Sequence, residues 1–116
     1  MANFLLLYIG GRMPEGEAET KQVMGAWDQW MGRHHDAIVD AGNPFTPNPK
    51  TITGDGRVSD GVSGEQAGGY SVIRADSLDE AVRIAKECPV FLGGAKLALY
   101  ETFDVMAAAG AEHHNH

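Results

Sequence analysis

The chain has 116 residues, 43% of them hydrophobic and 22% charged, which fits one domain with a real but small core that a partner subunit would help complete. The formal net charge is -7. That excludes a general nucleic-acid binder, which needs a basic stripe to displace counterions, and a protein that docks on anionic membrane surfaces.

The first predicted element is a strand from Asn3 to Ile9. Phe4, Leu6 and Tyr8 point one way, and Leu5, Leu7 and Ile9 the other. A strand apolar on both faces must be covered on both faces. The run is too short to span a membrane and lacks the flank and cleavage pattern of a secretion signal, so a cytoplasmic protein is expected.

A long helix follows, predicted over Glu17 to Ala41. Glu17 and Glu19 sit at its start, where the helix dipole favours negative charge. Val23, Trp27, Trp30, His34, Ile38 and Ala41 recur at three- and four-residue steps and form one apolar stripe. Gly25 and Gly32 each cost about 1 kcal/mol relative to Ala in a helix interior, which a close approach to the helix would explain. Gly42-Asn43-Pro44 stops the helix.

Lys50 to Thr53 and Arg57 to Ser59 flank Gly54-Asp55-Gly56, a hairpin signal. These glycines precede a strand, so they form no phosphate cradle at a helix N-terminus. Asp60 to Gly69 is a glycine-rich loop, and Tyr70 to Arg74 a strand. Ser77-Leu78-Asp79-Glu80 is a capping box that starts a second helix, and Pro89 ends it. The lone cysteine, Cys88, can form no internal disulfide and reads as a small buried hydrophobe at that helix end. Ala95 to Glu101 is the last strand.

The order is β-α-β-β-α-β, which predicts an α+β, ferredoxin-like fold with two helices on one face of an antiparallel sheet. A wet second face would show polar residues at alternate positions from Phe4 to Ile9, and none is there. The expected cover is the same sheet of a second copy, making a homodimer. The domain is read as residues 1–104. Residues 105–116, ending His113-His114-Asn115-His116, are read as a flexible tail.

The blocks Val58-Ser59-Asp60-Gly61-Val62-Ser63, Gly68-Gly69-Tyr70-Ser71-Val72-Ile73, Ala75-Asp76-Ser77-Leu78-Asp79-Glu80-Ala81 and Ala85-Lys86-Glu87-Cys88-Pro89 together resemble the YCII-related family, in the branch named for a DGPF motif. The resemblance covers about residues 3 to 103. It implies a dimeric α+β barrel of ferredoxin-like subunits. Here the Pro and Phe of the motif are replaced by Val62 and Ser63. Some members are thought to use a His-Asp pair on the first helix, and a related one eliminates chloride from a chlorinated aromatic. Asp40 matches that aspartate. The histidine position falls at or near Asp28, where no histidine stands.

Three residues are candidates for acid-base work. His34 lies on the helix stripe, either packed in the core or facing a pocket that tunes its proton. Asp40 falls in the last predicted helical turn, where the dipole disfavours a carboxylate by roughly 0.3–1 kcal/mol. It marks either a site or a hydrogen bond that holds the Asn43-Pro44 turn. Asp60 caps its loop or offers the loop's polar group to a ligand. Trp30, Tyr8 and Glu65 are the candidate ligand-binding residues. No metal is expected, since the adjacent His34 and His35 cannot share one from a single helix face, and no cofactor is called for. The expected function is a cofactor-free enzyme acting by acid-base or lyase-type chemistry on an organic acid or aromatic. The alternatives are a non-catalytic dimeric ligand-binding or accessory module and, behind it, a purely structural dimer.

Overall fold

The first strand sits at the heart of the sheet. In the computed structural model, which describes residues 1–106, β1 (Ala2–Ile9) pairs antiparallel with β5 (Ala67–Ala75) on one side and β6 (Lys96–Glu101) on the other. β2 (Ile38–Asp40) adds to the far edge of β5, giving the order β2-β5-β1-β6. The helices are α1 (Gly16–Arg33) and α2 (Leu78–Lys86), and a short 3-10 helix follows at Pro89–Gly93. This is a small ferredoxin-like α+β fold. The expected tail lies, from residue 107 on, outside the described residues.

The cap forms at Ser77, with the return bond of Glu80 taken from the residue before it. The Glu80 amide donates to Ser77 Oγ at 3.1 Å, and Glu80 Oε1 accepts from the Asp76 amide at 2.9 Å. Ahead of α1, the Arg12 guanidinium grips Glu19 with both terminal nitrogens. The hairpin forms as β3 (Lys50–Ile52) and β4 (Val58–Asp60), but as a separate two-stranded sheet.

The first helix is shorter than its periodicity predicts. It stops at Arg33, and His34 caps it by donating its amide to the Trp30 carbonyl. A turn over His34–Ala37 then delivers Ile38 to β5, where it faces Ile73. Ile38 and Val39 are β-branched and satisfy their backbone against an existing strand, which outweighs the weak local helix preference. Asp40 is therefore at the end of an edge strand rather than in a helix. Gly25 and Gly32 are in α1, yet nothing of this chain comes within 4 Å of where a Cβ would sit at either. Close approach within the chain does not account for them.

Alternation along β1 divides the sheet. Phe4, Leu6 and Tyr8 are buried beneath the helices, together with Ser71, Ile73 and Ala75 of β5. Trp30, Ala81, Ile84 and Ala85 close this core from the helix side. The opposite face carries the row Asp40–Val72–Leu5–Tyr100 and the row Tyr70–Leu7–Ala98. Leu5, Leu7 and Val72 are only half-buried there, and Tyr100 is 55% exposed.

Candidate functional site

Trp30 fixes the geometry of the helix side. It is buried, and its indole N–H donates to the Ile84 carbonyl at 3.1 Å, tying α1 to α2. The His34 ring meets it edge-on at 6.0 Å, and Trp27 meets it edge-on at 5.8 Å. His34 Nε2 then lies 2.7 Å from Glu87 Oε1, at the C-terminal end of α2. Arg33 Nη1 reaches the same oxygen at 3.3 Å. The bond to His34 first, and then the bond to Arg33, holds the Glu87 carboxyl below its ordinary range.

An ionised carboxylate can only accept, so His34 Nε2 carries the hydrogen of this bond. Nδ1 then has no partner among the described residues. A carboxylate at a helix C-terminus is disfavoured by the dipole. The imidazole and guanidinium offset that cost. The arrangement joins the C-terminal ends of both helices through one carboxylate.

Beside this pair lies an open groove of about 290 Å³, walled by α1 on one side and by the end of α2 and the 3-10 helix on the other. Trp30, Cys88 and Pro89 are among its apolar lining, and Arg33, Lys86 and Glu87 bring charge to it. Cys88 is buried, its thiol contacts Tyr8 Oη at 3.7 Å, and burial pushes its pKa up. A thiol in that setting stays protonated and inert, as expected of a packing residue.

The candidate residues fall in separate places. His34 stands behind Glu87 on the helix side. Tyr8 is interior; its hydroxyl donates to Ser71 Oγ at 2.7 Å, and Ser71 donates to the Ala41 carbonyl at 2.7 Å. Burial raises the Tyr8 pKa strongly. Asp40 belongs to the other sheet face. Its Oδ1 accepts the Gly42 amide at 2.9 Å, and its Oδ2 accepts the Tyr70 hydroxyl at 3.1 Å, so it does hold the turn that follows. Asp60 is on the hairpin and paired with Lys50. Glu65 is paired with Lys96. Trp30 and His34 are thus brought together, and Asp40, Asp60 and Glu65 are not brought to them. Glu87 and Arg33 were not singled out in the sequence. The signal was available: an acid in the last turn of a helix, just ahead of Cys88-Pro89. Among the described residues, no group of three His, Cys, Asp or Glu side chains is placed to hold a metal, and no helix is long and apolar enough to cross a membrane.

The class that the fold defines is a small ferredoxin-like α+β protein with a groove on its helix side. Among solved structures, the chain is similar to the 5-chloro-2-hydroxyhydroquinone dehydrochlorinase TftG of Burkholderia phenoliruptrix AC1100, determined with 2,5-dihydroxybenzoquinone. The TM-score is 0.50 and the identity 16%, over 87% of this chain and 93% of that one. The likeness is one of fold. No family model matches the chain, and no curated protein matches it.

Proposed function

We propose that this chain is a cofactor-free small-molecule enzyme, related to the YCII-like proteins, that works by acid-base chemistry beside the helix-side groove. The observation that carries the reading is the His34–Glu87 bond of 2.7 Å, with Glu87 on the lining of the groove and His34 behind it. Imidazole is the side chain suited to taking up and returning a proton near neutral pH. Glu87 orients the ring and balances the imidazolium charge, as the carboxylate of a catalytic triad does, and Arg33 steadies Glu87. The motif blocks from Val58 to Pro89 support the family relation. The similar structure is that of an enzyme acting on a small aromatic, which supports the substrate class.

The test is a turnover assay over a panel of organic acids and hydroxylated or chlorinated aromatics. His34→Asn and Glu87→Gln are each expected to lower kcat/KM by about a hundredfold or more, with the fold intact. A panel with no saturable turnover by the parent protein removes the enzymatic reading. It leaves a binding module, which the lack of a histidine at Asp28 favours.

We also propose that the open sheet face pairs with the same face of a second copy. Half-buried Leu5, Leu7 and Val72 beside exposed Tyr100 form an apolar surface that the chain's own helices leave bare. Leu7→Lys places a charge at its centre, opposite Tyr70 and Ala98. It is expected to cost the dimer about 2 kcal/mol or more and yield folded monomer by sedimentation velocity and circular dichroism. A parent protein that sediments as a monomer at micromolar concentration overturns the pairing.

A further inference from the structure

We propose that the helix-side groove takes an aromatic carboxylate bearing a ring hydroxyl; this rests on the groove being the functional site and adds what it recognises. Three features of its wall set the ligand's chemistry. Lys86 lines the groove and, like Lys21 and Arg74 elsewhere, has no ion-pair partner among the described residues, whereas Arg12, Arg33, Lys50, Arg57, Arg83 and Lys96 each have one. Arg33, across from it on α1, makes a single bond at 3.3 Å and leaves the rest of its guanidinium open. Arg33 and Lys86 outweigh the Glu87 carboxylate on this lining by one positive charge, in a chain whose net charge is -7, so Lys86 is the group that favours an anion here.

Phe91 and Leu92 are large, apolar and about half exposed on the same lining. They present aromatic and aliphatic surface to a flat ring, with buried Trp30 packed beneath. Glu87, already ionised and holding His34, offers its carboxylate on the same wall. A second carboxylate beside it would be repelled. A hydroxyl can donate to it. The ligand that satisfies all of these carries its anion at the Lys86 end, its ring over the apolar surface and its hydroxyl toward Glu87. The groove lies on the helix side, so a second copy on the bare sheet face leaves it accessible.

The experiment is isothermal titration of the full chain with 4-hydroxybenzoate, phenol and benzoate as probes. 4-Hydroxybenzoate is expected to bind saturably and more tightly than either partial probe. Lys86→Gln should weaken it about tenfold or more, bringing it toward phenol, because a charge-assisted bond is lost. Lys21→Gln removes another lysine with no ion-pair partner among the described residues, on α1 and outside the groove, and should leave the affinity unchanged. Equal affinity for phenol and 4-hydroxybenzoate overturns the proposal. So does an unchanged affinity in Lys86→Gln, or an equal loss in Lys21→Gln. Saturable hydroxybenzoate binding with no turnover anywhere on the aromatic and organic-acid panel keeps this inference and removes the enzymatic reading. Turnover of neutral aromatics with no hydroxybenzoate binding does the reverse.

Discussion

Gly42→Ala is expected to destabilise the protein by about 3 kcal/mol or more, a large part of a small domain's total stability. Gly42 has φ +79°, in the left-handed region that L side chains rarely adopt. A Cβ there would sit 1.6 Å from the Tyr70 carbonyl oxygen and 3.1 Å from Ser71 Cα. Both belong to β5, which is locked between β1 and β2. The strand cannot yield without breaking its pairing, so the turn must. That breaks the bond from the Gly42 amide to Asp40 and pulls Ala41 off Ser71. A thermal melt should shift down by roughly 10–20 °C for a domain of this size. Gly25→Ala and Gly32→Ala are the internal controls. Both positions are open and helical, so each should raise stability by up to about 1 kcal/mol. The contrast decides between two placements of Asp40. If α1 ran to Ala41, Gly42 would be an ordinary cap facing solvent, and alanine there would cost only about 1 kcal/mol.

That rivalry also shows what local sequence can and cannot carry. The alternation in Phe4 to Ile9 is a statement about two faces, and both faces are there. The glycine turn and the Ser77 cap are chemical demands of four or five adjacent residues, and both are met. The end of the first helix is different. His34, Ile38 and Ala41 continue the spacing of Trp27 and Trp30, so nothing nearby distinguishes a sixth turn from a bend. What draws Ile38 out is β5, more than thirty residues later, and no periodicity encodes that partner. The order β-α-β-β-α-β is found in the main sheet, but its second strand is Ile38–Asp40, which the periodicity assigns to the first helix, and the hairpin stands apart as a sheet of its own. The same blindness hid the His34–Glu87 pair. His34 was legible as a histidine on an apolar stripe. Its partner Glu87 is 53 residues away, brought near only when the indole of Trp30 clamps α1 on the Ile84 carbonyl.

Trp30→Ala should accordingly be among the most damaging substitutions in the chain, costing about 3–5 kcal/mol. Trp30 is 1% exposed and is the largest of the fully buried side chains. Its removal empties the space between α1, α2 and β1, and the edge-on contacts to Trp27 and His34 go with it. Trp30→Phe separates packing from hydrogen bonding. A phenyl ring keeps most of the contact and loses the donor to Ile84, which should cost about 1–2 kcal/mol, since that carbonyl still accepts the Glu87 amide. Urea unfolding of the two variants against the parent gives both values on one scale. A graded loss, small for phenylalanine and large for alanine, means that the bulk of the ring holds the two helices in register. Equal losses would place the stabilisation in the single indole bond instead. The packing account also fixes the order of functional failure. His34 and Glu87 face each other only while the ends of α1 and α2 stay together, so Trp30→Phe should keep their chemistry, and Trp30→Ala should lose it at temperatures where the chain is still folded.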